Sequence, residues 1–249
     1  MKAACSSPKN ILIFAQGRTG STALVKILET NQVIHIYPEP FNPDRKKKRY
    51  HDQITDLSSL DNALKDIHNV YNGIKHLIDQ LGSKAPSYNH HLLKQDYNII
   101  FSGRKNLLKM VVSKLVSMQS GHWGKDREII INYSFDPIDM NQLSNELTER
   151  REEAEHYEIF LKENQIPYLK VYYEDLFDLH LAEAQKLQKI DEIFAFTGVE
   201  PPAGSMLENI KEHLHPQNKL NTLETYGKIP NIMDVEEKFG SEEWGYLFK

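Results

Sequence analysis

The chain has 249 residues, of which 40% are hydrophobic and 26% charged, with only 12 glycines and 11 prolines; this composition excludes collagenous, low-complexity and wholly disordered proteins. Thirty basic against 35 acidic side chains give a net charge of -5, so the overall field does not favour nucleic acid or an anionic membrane, and an anionic ligand must be bound locally. The single cysteine, Cys5, excludes an internal disulfide, and we expect no metal site because no Cys/His set has zinc spacing.

The N-terminal segment carries no targeting or membrane-spanning signal. The first ten residues are polar and contain Pro8, and the apolar run from Ile11 to Ala15 is too short for a signal-peptide core or a bilayer crossing. We therefore expect a soluble, cytoplasmic protein with no membrane partner, although a chain from which an anchor had been removed would have the same sequence.

The first elements read as a strand, a glycine turn and a helix. The run Asn10–Gln16 is apolar and ends at Gly17, and Ser21–Thr30 places leucine and isoleucine at helical spacing. A second apolar piece, Val33–Tyr37, ends in Pro38-Glu39-Pro40, and each proline restricts the residue before it to extended conformations. We therefore expect Glu39 in a stiff, extended loop.

The rest of the chain continues the alternation of strands and helices. Ser58, with Asp61 three residues later, predicts the start of a helix that runs to His68. Asn106 is the predicted N-cap of a helix over Leu107–Gln119. Strands are predicted over Val70–Leu77, Tyr97–Ser102 and Tyr168–Tyr173, and helices from Pro137 to Pro167 and from Ala182 to Phe196, the last closed by Gly198. Beyond Pro201 the pattern thins, and we expect a tail draped over the domain.

This alternation, without internal repeats, predicts an α/β fold with a central parallel sheet flanked by helices on both faces. The length favours a single domain over residues 1–249. Ligands of such sheets bind beyond the carboxyl ends of the strands.

The segment Gln16-Gly17-Arg18-Thr19-Gly20-Ser21-Thr22 joins the first strand to its helix. It offers backbone amides, hydroxyls and a guanidinium to an anion, although a glycine turn that merely caps a helix would look similar. The triphosphate loop GxxxxGK[ST] does not match, because Ala15 occupies its first glycine position and Ser21 its lysine position. This argues against magnesium-dependent triphosphate chemistry.

The run from Arg18 to Thr22 resembles the [RK]-[ST]-G-[ST]-[ST] loop of sulfotransferases that use 3′-phosphoadenosine 5′-phosphosulfate (PAPS). In that family the loop holds the 5′-phosphosulfate, so the resemblance implies the same role for Arg18, Thr19, Gly20, Ser21 and Thr22. Thr-Gly-Ser-Thr replaces the commoner Ser-Gly-Thr-Thr, which preserves the hydroxyls.

A second element of the same family is a basic residue after a strand, followed eight or nine positions later by a helical serine. This pair grips the 3′-phosphate of the donor. Arg104 stands nine positions before Ser113 and Lys105 stands eight, so the spacing leaves open which cation is involved.

The likeness extends toward a bacterial branch that includes trehalose and Nod-factor sulfotransferases. There a Pro-Glu loop after the second strand carries the general base and a Gly-x-Lys strand follows; Pro38-Glu39-Pro40-Phe41 and Gly73-Ile74-Lys75 stand at matching places. The resemblance reaches to about Val199. It implies a P-loop-kinase-like sulfotransferase fold with a core over residues 9–199 and a C-terminal extension over residues 200–249 packed on it.

Sulfuryl transfer moves SO3 from a phosphate to an acceptor oxygen, so catalysis depends on alignment and on stabilising charge at the bridging oxygen. The resemblance assigns this work to Arg18 and the loop amides, with no metal. The acceptor hydroxyl must lose its proton, and Glu39 is the expected general base.

Other side chains are rivals or additions at this site. His35, His76 and His122 are rival bases, because histidine accepts a proton near neutral pH. Lys75, His76 and Trp123 are candidate contacts for donor or acceptor, Trp123 through its aromatic face. For each of them a packed or solvated side chain is the alternative.

We therefore expect a PAPS-dependent sulfotransferase that acts on a hydroxyl of a carbohydrate or small metabolite, with adenosine 3′,5′-bisphosphate (PAP) as product and no nucleic-acid partner. Two other functions remain open. One is a nucleotide-dependent phosphotransferase on the same fold. The other is a non-catalytic nucleotide- or nucleic-acid-binding module built around the basic run Arg45–Arg49, for which a solvated loop is the simpler interpretation. Neither the acceptor nor the oligomeric state follows from the sequence.

Overall fold

A computed structural model describes residues 9–44, 50–123, 127–215 and 223–249. The basic run Arg45–Arg49 and Cys5 lie outside these ranges. Five strands form one sheet in the order β2-β3-β1-β4-β5, and every pairing is parallel. The strands are β1 (Asn10–Ala15), β2 (Ile36–Pro38), β3 (Gly73–Leu77), β4 (Tyr97–Gly103) and β5 (Tyr168–Tyr172).

Helices connect and cover these strands. They are α1 (Ser21–Leu28), α2 (Leu57–His68), α3 (Ala85–Leu93), α4 (Leu107–Ser120), α5 (Arg127–Asn132), α6 (Met140–Glu163), α7 (Tyr173–Phe177), α8 (Glu183–Thr197), α9 (Ser205–Leu214), α10 (Leu223–Tyr226) and α11 (Ile232–Phe239). Short 3-10 turns occupy His51–Gln53 and Gly82–Lys84. None of the helices within the described ranges is long and apolar enough to cross a membrane.

The central strand β1 shows why both faces of the sheet are covered. Leu12 and Phe14 point to one face, where they pack with α2, α3 and α6. Ile11 and Ile13 point to the other, where they pack with α1, α7, α8 and α9. A strand buried on both faces must be apolar at every position. The predicted α/β architecture, with a central parallel sheet between two helical layers, is confirmed.

A third apolar cluster surrounds α4. Leu108, Val112 and Leu115 on this helix pack against the start of α6 and against the C-terminal segment, including Val235 and Leu247. Each fully buried side chain of this size contributes about 1.5–3 kcal/mol. The cluster therefore holds α4 firmly against the rest of the molecule.

The C-terminal region contains three helices where the sequence pattern suggested only a draped tail. Ile232, Val235 and Phe239 are buried along α11, and Ile210 and Leu214 along α9. These spacings of three and four residues are helical. They escaped prediction because each helix is short and prolines separate them.

Two helix starts also differ from prediction. Helix α6 begins at Met140 rather than near Pro137, because the Asp139 side chain caps it. Helix α2 is capped by Asp56, whose side chain accepts from the Ser59 amide. The predicted cap, Ser58, lies inside that helix.

The carboxyl ends of β1, β3 and β4 lie at one edge of the sheet. Ala15 pairs with Leu77 on one side and with Ser102 on the other. The segments that leave this edge are therefore neighbours in space. They carry the phosphate loop, which we define as residues 16–22, the Lys75 end of β3 and the Arg104 turn.

Candidate functional site

The phosphate loop has an unusual backbone. Arg18 and Gly20 have φ angles of 68° and 77°, in the left-handed region that favours glycine. A Cβ on Gly20 would stand 2.9 Å from the Tyr173 ring and 3.0 Å from Phe177. Glycine is thus required at position 20 by both conformation and space.

The start of α1 is open toward this loop. Gly20 is the N-cap and supplies no side chain, and the first turn of the helix contains no acidic residue. The N–H groups of residues 18–22 find no hydrogen-bond acceptor among the residues that the structure describes. Free amides at a helix N-terminus, where the dipole is positive, form an anion-binding site.

Arg18 lies across this opening. Its Nε donates to Ser113 Oγ at 2.8 Å and its Nη1 to the Trp123 carbonyl at 3.4 Å. In the described part of the chain no carboxylate lies within 4.0 Å of it. Burial, and then the nearby Arg104 guanidinium, lower the pKa of Arg18. Within the described ranges, the charge of this side chain therefore lacks a carboxylate counterion.

Arg104 supports the loop from the next turn. Its Nη1 donates to the Arg18 carbonyl at 3.2 Å, and its guanidinium lies 4.3 Å from the centre of the Tyr173 ring. Its Nε is buried without a hydrogen-bond partner among the described residues, and it lies 3.9 Å from the Glu174 carboxylate. Two guanidiniums thus converge beside the free amides.

Lys105 takes a different direction. Its Nζ pairs with Asp175 at 3.0 Å, and 57% of the side chain is exposed. The hydrogen bond to Asp175 raises the pKa of Lys105. Of the two cations that the spacing left open, the structure brings Arg104 to the phosphate loop and turns Lys105 away from it.

The hydroxyls of the loop divide into two groups. Thr19 Oγ1 is buried, donates to the Gln16 carbonyl at 2.9 Å and lies 3.2 Å from Ser102 Oγ. Ser21 is buried, whereas Thr22 is exposed and its Oγ1 accepts from Lys75 Nζ at 2.9 Å. Thr19 therefore shapes the loop through its side chain, and Thr22 links the loop to β3.

Glu39 does not have the extended backbone that its proline neighbour predicts. Its φ angle is 54°, and its amide donates to the Lys75 carbonyl at 2.7 Å. This contact holds the residue in a strained conformation, which in proteins persists only where the surroundings enforce it. The prediction of an extended residue was wrong because a tertiary hydrogen bond outweighs the local preference.

The Glu39 carboxylate is held from three sides. Oε1 lies 2.5 Å from Lys75 Nζ, and Oε2 accepts from Asn42 at 2.7 Å and from Gln80 at 2.9 Å. Burial acts to raise the pKa of Glu39, but Lys75 and these hydrogen bonds hold it below its usual value. The carboxylate is therefore ionised at neutral pH.

Lys75 joins the two halves of the site. Its side chain is only 3% exposed, and its Nζ contacts both Glu39 and Thr22. A buried ammonium requires such partners. Glu39 is thus separated from the first turn of α1 by one side chain.

The remaining predicted residues lie in different surroundings. His76 is fully buried against Phe14 and Phe41, and its Nε2 meets Asn89 at 2.7 Å. Burial lowers the pKa of His76 to about 4. The structure therefore places it in the core rather than with Lys75 at the site. Trp123, by contrast, is 55% exposed beside Arg18.

The other two histidines proposed as bases also make contacts of their own. His122 Nδ1 lies 2.6 Å from the Ser120 carbonyl. His35 is exposed at the opposite end of β2 from Glu39. Neither is among the residues that the described contacts bring to Glu39 or Arg18.

Sequence reasoning missed several supporting residues. Gln80 and Asn42 hold Glu39, and Glu174 accepts from the amides of Lys105 and Asn106 at 2.8 and 3.0 Å. Glu174 lies within the part of the chain, up to about Val199, over which the family resemblance extends. Gln80 carries no local signal, because only the fold brings it to Glu39. Asn42 lies three residues after Glu39, and its contact belongs to the local turn.

The arrangement combines two chemical functions. A cationic cradle without a counterion suits an anion with more than one phosphate-type group. An ionised carboxylate one side chain away suits proton removal from a ligand bound beside that anion. Within the described ranges no group of three or more His, Cys, Asp or Glu side chains is arranged to hold a metal ion.

Comparisons with known proteins add one finding. No protein-family model and no curated protein matches the chain. Among solved structures, mouse sulfotransferase SULT7A1 complexed with PAP is similar to it, with a TM-score of 0.42 and 13% sequence identity over 84% of this chain and 65% of that one. The chain thus spans just under two thirds of the length of that protein.

Proposed function

We propose that the protein is a PAPS-dependent sulfotransferase that moves a sulfuryl group to a hydroxyl of a carbohydrate or other small metabolite. The observation that carries the proposal is the open anion cradle. In the described part of the structure the amides of residues 18–22 have no acceptor and Arg18 has no carboxylate. Open amides at a helix N-terminus and a guanidinium without a carboxylate partner both attract an anion.

The residues present fit a donor with phosphate-type groups at two ends. The loop amides and Arg18 would hold the phosphosulfate end, and Arg104 with Ser113 would hold the 3′-phosphate. The contact between Arg18 and Ser113, at 2.8 Å, supports this because it brings the two turns together. PAPS supplies an activated sulfuryl group attached to a phosphate that can leave.

Glu39 would accept the proton of the acceptor hydroxyl. As the new bond from the acceptor oxygen to sulfur forms, the bond from sulfur to the donor phosphate oxygen breaks, and the proton goes to the Glu39 carboxylate. Lys75, which contacts both Glu39 and Thr22, would keep the carboxylate aligned with the start of α1. Arg18 and the amides would stabilise the charge left on the donor phosphate.

Binding and transfer assays test this proposal. We expect PAP to raise the melting temperature and to bind about 10–100-fold more tightly than AMP, which lacks the 3′-phosphate, because a charged hydrogen bond contributes about 1.5–3 kcal/mol. We also expect transfer of labelled sulfate from PAPS to a carbohydrate or small-metabolite acceptor without added metal.

Two outcomes would overturn the proposal. Magnesium-dependent turnover of ATP, with no transfer from PAPS, would identify a phosphotransferase. Steeply salt-dependent binding to arbitrary DNA, with no thermal shift on adding PAP, would identify a nucleic-acid-binding module.

A further inference from the structure

A line of polar side chains on α6 connects the two turns of the site. Glu146, Arg150 and Glu153 are spaced by four and three residues, which places them on one face of the helix. The sequence alone did not predict a functional role for any of these three residues. One end of the line meets the phosphate loop and the other end meets α4.

The first contact is with Gln16, the residue at which the phosphate loop begins. Its side chain is buried, and its Nε2 donates to the Arg150 carbonyl and to Glu153 Oε2, each at 2.7 Å. The side-chain NH2 group of Gln16 therefore donates both of its hydrogen bonds to acceptors on α6.

The line continues along the helix to α4. Arg150 Nη1 donates to Glu153 Oε2 at 3.0 Å, and Arg150 Nε lies 3.6 Å from Glu146. Both Glu146 oxygens accept from Lys114 Nζ, at 2.8 and 2.7 Å. Lys114 directly follows Ser113, so the line ends beside the residue that Arg18 contacts.

These contacts close a ring around the site. On one side Arg18 of the phosphate loop meets Ser113 of α4 directly. On the other side, side chains of α6 connect Gln16, which is close to Arg18 in sequence, with Lys114, which follows Ser113. The separation between the loop and α4 is thus fixed at two places.

We infer that Glu153 is a positioning residue that, through Gln16, holds the phosphate loop at the distance from α4 that donor binding requires. This inference rests on the proposed function for its ligand, but the role in loop order does not depend on that ligand. Burial raises the pKa of Glu153, with Arg150 and Gln16 acting against it, which agrees with a carboxylate withdrawn from water.

Helix α6 offers a matched control. Glu158 lies on the same helix and pairs with Lys170 of β5 at 2.6 Å. The side chains of Glu153 and Glu158 are 25% and 24% exposed, so removing either carboxylate disturbs an ion pair of similar burial. Of these two carboxylates, only Glu153 contacts the phosphate loop within the described part of the chain.

The test compares E153M and E158M in the full chain. Backbone amide order parameters of residues 17–22 in the free protein should fall from about 0.85 toward 0.6 in E153M and stay unchanged in E158M. The affinity for PAP should fall about 3–10-fold in E153M and less than about 2-fold in E158M, which corresponds to the loss of one hydrogen bond. E153Q keeps an acceptor oxygen for Gln16 and should recover most of both losses.

The outcomes test the positioning role of Glu153 and the proposed function separately. Equal order parameters in E153M and wild type, or equal effects of E153M and E158M, would overturn the positioning role. Wild-type protein that does not bind PAP would overturn the proposed function, while the order parameters would still decide whether Glu153 orders the loop. If E153M fails to fold, the milder variants K114M and E146Q and their double variant are compared instead. We expect their effects on the order parameters of the loop to be non-additive, and additive effects would contradict the inference.

Discussion

The two halves of the candidate site differ in how completely their polar groups are satisfied. On the proposed donor side, the amides of residues 18–22 have no acceptor and Arg18 has no carboxylate partner among the described residues, although Arg18 donates to Ser113 and to the Trp123 carbonyl. On the acceptor side, both oxygens of Glu39 are occupied by Lys75, Asn42 and Gln80. The first half thus leaves polar groups open to a ligand, whereas the second already has its hydrogen-bond partners within the protein.

Because of this difference, we expect substitutions in the two halves to affect different properties of the protein. On the proposed donor side the loop amides have no partner within the described ranges and Arg18 has no carboxylate there, so changes on that side should affect binding more than folding. Groups on the acceptor side are bound to one another, so changes there should affect the chemical step and stability. The predictions below test this division.

The largest effect is expected at Glu39. Replacing it by glutamine removes the base while keeping two polar atoms for its neighbours, so turnover should fall about 10²–10⁴-fold, the usual contribution of a general base. The thermal shift produced by PAP should remain, because the donor side is unchanged. Steady-state kinetics and melting curves measure both, and full activity in E39Q would exclude Glu39 as the base.

A second effect concerns His76, which lies next to Lys75 but in the core. Its pKa is about 4 in the folded protein and about 6.5 in an unfolded chain. Between these values only the unfolded state binds the proton, so stability falls as the pH drops from about 6.5 to 4. The slope is up to about 1.4 kcal/mol per pH unit, or about 3 kcal/mol in total.

Urea unfolding across this pH range measures the effect. The pH dependence of wild type minus that of H76N isolates His76 from the other histidines. Parallel curves for the two proteins would show that His76 does not titrate in this way.

Arg18 provides the counterpart on the donor side. R18A removes the guanidinium that meets Ser113, and PAP affinity should fall about 10–100-fold, because hydrogen bonds to charged groups contribute about 1.5–3 kcal/mol. Stability without PAP should change little, since among the described residues Arg18 has no ion pair to lose and makes only hydrogen bonds to neutral partners. Calorimetric titration with PAP checks the first statement and thermal melting the second; a strongly destabilised R18A would contradict the division between the halves.

The smallest expected effect is a difference in PAP affinity between variants of two adjacent residues, Arg104 and Lys105. R104M removes a cation that contacts the phosphate loop, whereas K105M removes one that pairs with Asp175 on the surface. We expect PAP affinity to fall about tenfold in R104M and by less than about threefold in K105M, in line with the small contribution of exposed ion pairs. Equal losses in the two variants would mean that both cations hold the donor.

The elements around the site were predictable because their signals are local. The apolar run of β1, the glycine turn and the Asn106 cap all appear in the sequence, and the Asn106 side chain does accept from the Lys109 amide. A run of apolar residues has few conformations that bury it, so short segments decide these features.

The features that escaped prediction depend on contacts distant in sequence. Spacing alone could not predict which of Arg104 and Lys105 contacts the phosphate loop. Arg104 stacks on Tyr173 and reaches the loop, whereas Lys105 pairs with Asp175. The left-handed backbone of Glu39 depends in the same way on the β3 carbonyl. Such contacts exist only after the sheet has formed.

The close packing at Gly20 has a mechanical consequence. Because the rings of Tyr173 and Phe177 occupy the space that a side chain would need, the phosphate loop and α7 cannot shift independently. Helix α7 also carries Glu174, whose carboxylate fixes the turn after β4. One added methyl group at position 20 would therefore displace the phosphate loop and the turn after β4 together, so a perturbation at a single backbone position would reach both parts of the candidate site.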